Sequence, residues 1–89
     1  MLLLPESLTM REARDALRML GSSLRREGGA DALVIDASAL EHFDSSALAV
    51  LLESARLARA WGKRLQVQRP PAKLAELARL YGVADLLLL

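Results

Sequence analysis

The chain contains no cysteine, which excludes disulfide cross-links, thiolate nucleophiles and cysteine-based metal sites. Its single histidine, His42, cannot assemble a zinc or iron site by itself, so neither a metal nor a cofactor is expected. Aromatic residues make up 3% of a sequence that is 53% hydrophobic, and the core must therefore be built mainly from Leu, Ala and Val. Net charge is nearly absent as well. Twelve basic against eleven acidic residues give +1, a balance expected to leave no electrostatic footprint for nucleic acid and no polybasic patch for an anionic membrane. No apolar run approaches the length of a bilayer span, and "MLLLPES" has neither a basic leader nor a signal-length apolar segment. A soluble, intracellular chain without direct membrane insertion is expected.

What is present fits one small domain of 89 residues, 1–89, with strands and helices in alternation. Pro5 breaks the first apolar run, and Thr9-Met10-Arg11-Glu12 has capping-box spacing, which predicts a helix from near Met10. Met10, Ala13, Leu17, Leu20 and Leu24 form its apolar stripe; Arg11, Arg14, Arg18, Arg25 and Arg26, with Glu12, Asp15 and Glu27, make a mixed solvated face; Gly28-Gly29 supply the stop. "ALVID", Ala32 to Asp36, reads as a strand covered on both faces. A second helix is expected from Ser45 or Ser46 to Trp61, with Leu48, Leu51, Leu52, Ala55 and Ala58 inward, Glu53, Arg56, Ala60 and Lys63 outward, and Gly62 as its end. "RLQVQR", Arg64 to Arg69, alternates like a strand with one face on the core. Pro70-Pro71 suit the entry to a third helix whose inner face is Leu74, Leu77, Ala78 and Tyr81, ending at Gly82. The tail "VADLLLL" fits a last strand, a helical turn or a segment awaiting a partner. Such alternation implies an α/β fold: a small, largely parallel or mixed sheet with three to four helices packed against it.

Few residues suggest chemistry. His42, Asp44 and Ser45 are close in sequence, but a catalytic triad needs three groups converging beside an oxyanion hole, and neighbours entering one helix do not converge that way. His42 is read as a solvated loop residue. No G-x-x-x-x-G-K or G-x-G-x-x-G spacing exists for a nucleotide, and Asp31, Asp36, Glu41 and Asp44 lack metal-loop spacing. Asp44-Ser45-Ser46 remains. Asp and Ser are preferred N-caps, so residue types alone favour a cap and nothing more; a hydroxyl at the positive end of a helix dipole is also well placed to take a phosphoryl group or to be read by a partner.

"LVIDASALEHFDSSALAVLL" resembles the centre of STAS domains, the fold shared by sulfate-transporter C-terminal domains and anti-sigma-factor antagonists. There a strand ends in Asp, a short loop follows, and a D-S/T-x-G-L segment opens the next helix. Asp36 matches the strand-end position, Asp44 the motif Asp, Ser45 the regulatory hydroxyl position and Leu48 the following core leucine. "LLLPESLTMREARDAL" is similar to the family's first strand, turn and helix, and "LAELARLYGVADLL" to the final helix and tail of the MlaB-like subunits of bacterial lipid-asymmetry ABC transporters. Two departures stand out: Ala47 replaces the usual Gly of the motif, and the N-terminal strand or hairpin is shortened, since only four residues precede Pro5.

The resemblance implies a non-catalytic regulatory subunit without cofactor. Its partner would be the ATPase subunit of a phospholipid-transport ABC complex at the inner membrane, reached from the cytoplasm through that partner. Ser45 would be the phospho-acceptor or docking hydroxyl, and Asp44, Ser45, Ser46 and Ala47 the partner-binding patch. The alternative is an anti-sigma-factor antagonist switched by phosphorylation of Ser45; Ala47 in place of Gly weighs toward docking. If the chain also pairs with itself, its apolar ends are the expected place.

Overall fold

In a computed structural model of the chain, which describes residues 2–26, 31–87 and 89, the architecture is built around the aliphatic strand β3, Ala32–Asp36. It is flanked in parallel by β1, Leu2–Leu3, and by β5, Arg64–Gln68, giving the order β1-β3-β5. A second two-stranded parallel pair joins β2, Ser7–Leu8, to β4, His42–Phe43. Every described pairing is parallel, so the mixed alternative is not the one realised. The N-terminal segment, expected to be shortened, forms the two-residue strands β1 and β2, which pair with different partners rather than with each other. β3 carries Leu33 and Ile35 fully buried while Val34 is half-buried, so one face is better covered than the other.

Helix α1, Ala13–Arg26, begins three residues later than its periodicity suggests. The capping box forms: Glu12 Oε2 accepts the Thr9 amide at 2.9 Å, while the Thr9 hydroxyl accepts the Arg11 amide at 3.3 Å. Thr9 to Glu12 make the entering turn, which leaves Met10 79% exposed instead of on the buried face. Among the described side chains of α1, Ala16 and Leu20 are buried and Ala13 and Leu17 partly covered, and its arginines point outward as expected. The side chain of Leu24 and the stop expected at Gly28-Gly29 lie outside the described residues.

Helix α2, Ser45–Ala60, packs against α1 on one side and β5 on another. Two covered sides explain why Ala47, Val50 and Ser54 are buried in addition to the expected Leu48, Leu51 and Ala58. Burial of Ser54 leaves no orphaned hydroxyl, because it donates to the Val50 carbonyl one turn earlier at 2.7 Å. Helix α3, Ala72–Leu80, follows Pro71 as N-cap and buries Leu74 and Ala78.

Both α2 and α3 end the same way. Gly62 (φ +73°) donates to Arg59 O and Lys63 to Ala58 O; Gly82 (φ +71°) donates to Arg79 O and Val83 to Ala78 O. This crossed pair satisfies two terminal carbonyls and requires a left-handed residue, which glycine adopts without penalty. Two expectations fail at these ends. Tyr81 is the C-cap beyond α3, where the helical rotation no longer carries it inward, and is 58% exposed. Lys63, expected outward, is folded back past Gly62 and is buried. The tail forms a single helical turn, α4, Ala84–Leu87, whose Leu87 enters the core beside α2 and β5.

Candidate functional site

The start of α2 is where the sequence points, and there the roles of three adjacent polar residues separate. Asp44 has extended backbone angles, φ −130° and ψ −165°, and its Oδ1 accepts the Ser46 amide at 2.8 Å. The cap is thereby supplied by Asp44 itself. Neither serine hydroxyl is used: Ser45 is exposed, Ser46 half-buried, and neither side chain forms a hydrogen bond with a described residue. Ser45 also borders an apolar hollow of about 270 Å³ completed by Leu48, Ala49, Leu52, Tyr81 and Val83. An unengaged hydroxyl thus sits at the rim of a greasy depression, at the positive end of a sixteen-residue helix.

Ala47 does not belong to that surface. Two residues beyond Ser45 the helix has turned to its inner side, and Ala47 is fully buried. It supports this surface from beneath, and of the four residues only Asp44, Ser45 and part of Ser46 reach solvent.

His42 lies in β4 rather than in a loop and is exposed. Its amide, with that of Glu41, donates to the Glu6 carbonyl at 3.0 and 2.8 Å. No side-chain hydrogen bond joins His42, Asp44 and Ser45 among the described residues, so the triad geometry is not formed. Glu6, Glu41 and His42 do bring their ligand atoms within 4.8 Å of one another, a meeting that sequence spacing hides because Glu6 comes from the N-terminal segment. All three are solvated, as exposed acidic groups ordinarily are.

Asp36, the strand-end acid, has a different role from Asp44. It is buried, accepts the Ser38 amide at 2.9 Å and pairs with the guanidinium of Arg69 just after β5. The hydrogen bonds from Ser38, reinforced by Arg69, hold its carboxyl below the usual range. Nothing in the sequence around Arg69 marks it as a partner of Asp36. Its signal is the register: Asp36 is opposite Gln68, which puts Arg69 one residue beyond the same sheet end.

A family model described as "Mlab, STAS domain" matches residues 1–89. The chain belongs to the MlaB-like STAS domains. No curated protein matches it significantly. STAS domains are generally non-catalytic binding domains, in keeping with a site made of a cap, a displayed hydroxyl and an apolar hollow. In this STAS domain the motif Asp caps α2, the motif hydroxyl is left exposed, and the buried Ala47 occupies the usual glycine position. No described helix is long and apolar enough to cross a membrane.

Proposed function

We propose that this STAS domain is a non-catalytic subunit that binds the ATPase of an Mla-type phospholipid-transport ABC complex and supports that complex's assembly and activity. It would act as one unit over residues 1–89, in the cytoplasm, held at the inner membrane by its partner. The MlaB-like family membership supports this reading. The observation that carries it to a particular surface is the exposed Ser45 hydroxyl, relieved of capping by Asp44 and set against an apolar hollow. Small side chains at Ser45 and Ala49 let a partner approach closely, and the hollow offers the desolvated pocket in which interface anchors concentrate.

The test is co-purification with the cognate ATPase. Ser45→Arg and Ser45→Glu place bulk or charge at an exposed position, so they are expected to abolish the complex while leaving the circular dichroism spectrum unchanged. Retained binding by both variants defeats the assignment.

One observation favours a second reading: an unbonded hydroxyl at a helix N-terminus is open to a kinase, and the free amides there stabilise added phosphate. An anti-sigma-factor antagonist would be phosphorylated on Ser45 by the kinase it binds. Intact mass after incubation with such a kinase and ATP separates the two readings.

A further inference from the structure

The hollow at Ser45 is the first of three that adjoin along α2. It shares Leu52 with a second, lined also by Ala55, Arg56, Arg59 and Leu86. The second shares Ala55, Arg59 and Leu86 with a third, of about 250 Å³, which reaches Lys63, Arg64, Leu65 and Asp85. The result is a trough that follows α2 from its first residue to the start of β5, walled on the far side by Tyr81, Val83 and Leu86.

Its lining is polarised. Among the described residues, no charged side chain borders it at the Ser45 end, whereas the other end gathers Arg56, Arg59, Lys63 and Arg64 against the one carboxylate of Asp85. Arg56 is occupied by Glu53, and Lys63 is buried with an interaction of its own. Arg59 and Arg64 are exposed and form no ion pair with a described residue. The sequence carries the same asymmetry: between Glu53 and Glu76 lie Arg56, Arg59, Lys63, Arg64, Arg69 and Lys73 and no acidic residue. A net charge of +1 therefore conceals a segregated distribution, and the sum alone says little about partners.

We propose that this trough seats an acidic, amphipathic segment of the partner protein. The apolar part of that segment lies against Leu48, Ala49 and Leu52, and its carboxylates face Arg59 and Arg64. The inference deepens the proposed docking at Ser45 and rests on it. A polyanion such as nucleic acid would find charge at one end only, and a flat membrane surface does not enter a concave trough. At 1.5 Å per residue, α2 is about 24 Å long, which matches a helical segment of roughly sixteen residues lying in the groove.

The experiment measures binding of the full chain to the purified cognate ATPase at low salt and at about 0.5 M NaCl. Arg59→Glu combined with Arg64→Glu is expected to weaken binding by at least about tenfold at low salt, with a smaller gap at high salt, because screened charges lose most of their attraction. An unchanged melting temperature shows that the variant folds, and Arg59→Gln with Arg64→Gln repeats the test without reversing charge. A photo-reactive benzoyl-phenylalanine in place of the exposed Leu86 is expected to link to a peptide of the ATPase with net negative charge. If charge reversal leaves affinity unchanged while Ser45→Arg abolishes it, the trough is overturned and docking at Ser45 survives. A neutral or basic linked peptide also overturns the trough. Binding that neither set of variants disturbs, or a wild-type chain that fails to bind, overturns both.

Discussion

The guanidinium of Arg69 holds the buried carboxylate of Asp36 across the end of the parallel sheet, thirty-three residues away in the chain. The contact joins the loop that leads toward α2 to the one that leads into α3, and Ala37 N–H donating to Gln68 O at 2.9 Å adds a second tie. Arg69 reaches it with φ +52°, a left-handed conformation in a non-glycine residue. That conformation costs roughly 1–2 kcal/mol, which the fold sustains to place the guanidinium.

Two substitutions at Arg69 separate strain from pairing. Arg69→Ala loses the ion pair and keeps the strained backbone; Arg69→Gly loses the pair and releases the strain. The glycine variant is expected to be the more stable of the two by about 1 kcal/mol, less a few tenths for the greater entropy of its unfolded chain. Urea unfolding midpoints of the pair decide it, and a glycine variant no more stable than the alanine variant would show that the positive φ costs no more than the entropy of the freer unfolded chain.

Glu12 gives the domain an acid-sensitive joint. The Thr9 hydroxyl and amide, with the Ser7 hydroxyl, donate to its carboxylate and lower its pKa from 4.5 to about 2. A carboxylate depressed on folding stabilises the native state fully above its unfolded value, and that contribution is lost as pH falls from about 4.5 toward 2. Asp36 acts in the same direction. Glu12→Gln is expected to unfold at lower urea than wild type near pH 6, with the two curves converging near pH 2. A constant offset across that window would refute the role given to the carboxylate.

Much of this architecture is legible in the sequence because its signals are local. The Thr9–Glu12 box, the Asp44 cap and the stops at Gly62 and Gly82 each act within a few residues, so spacing alone finds them. Periodicity is misleading just outside a helix, where the rotation of about 100° per residue ceases; it predicts Met10 and Tyr81 inward, and both are exposed. Asp36–Arg69, the Glu6–Glu41–His42 meeting and the trough along α2 need the strand register and the path of the tail. The Ser45 hydroxyl stands out only as a position in a family pattern. Its freedom from capping duty is a geometric fact that residue types leave open.

The tail was the least legible part, and two neighbouring leucines now divide its roles. Leu87 is 1% exposed in the core, while Leu86 is 64% exposed on the trough wall. Leu87→Ala should cost about 2–5 kcal/mol through lost burial and a residual cavity. Leu86→Ala should change stability by no more than about 0.5 kcal/mol. Thermal denaturation of the two variants tests whether α4 is part of the fold; similar small losses would mean that the tail is not anchored.

Asp44 and Ser45 can be separated in the same manner, and their separation decides what the motif is for. Asp44 accepts the Ser46 amide, so Asp44→Ala should lower stability by about 1 kcal/mol, the ordinary cost of losing an N-cap. Ser45 makes no hydrogen bond with a described residue, so Ser45→Ala should leave stability within about 0.5 kcal/mol of wild type. Urea melts of the two variants measure this directly. A loss at Ser45 as large as that at Asp44 would make the serine part of the cap and remove the reason to regard its hydroxyl as displayed. A loss confined to Asp44 leaves the Ser45 hydroxyl without a role in the fold's stability, as both the proposed docking and the alternative phosphorylation require.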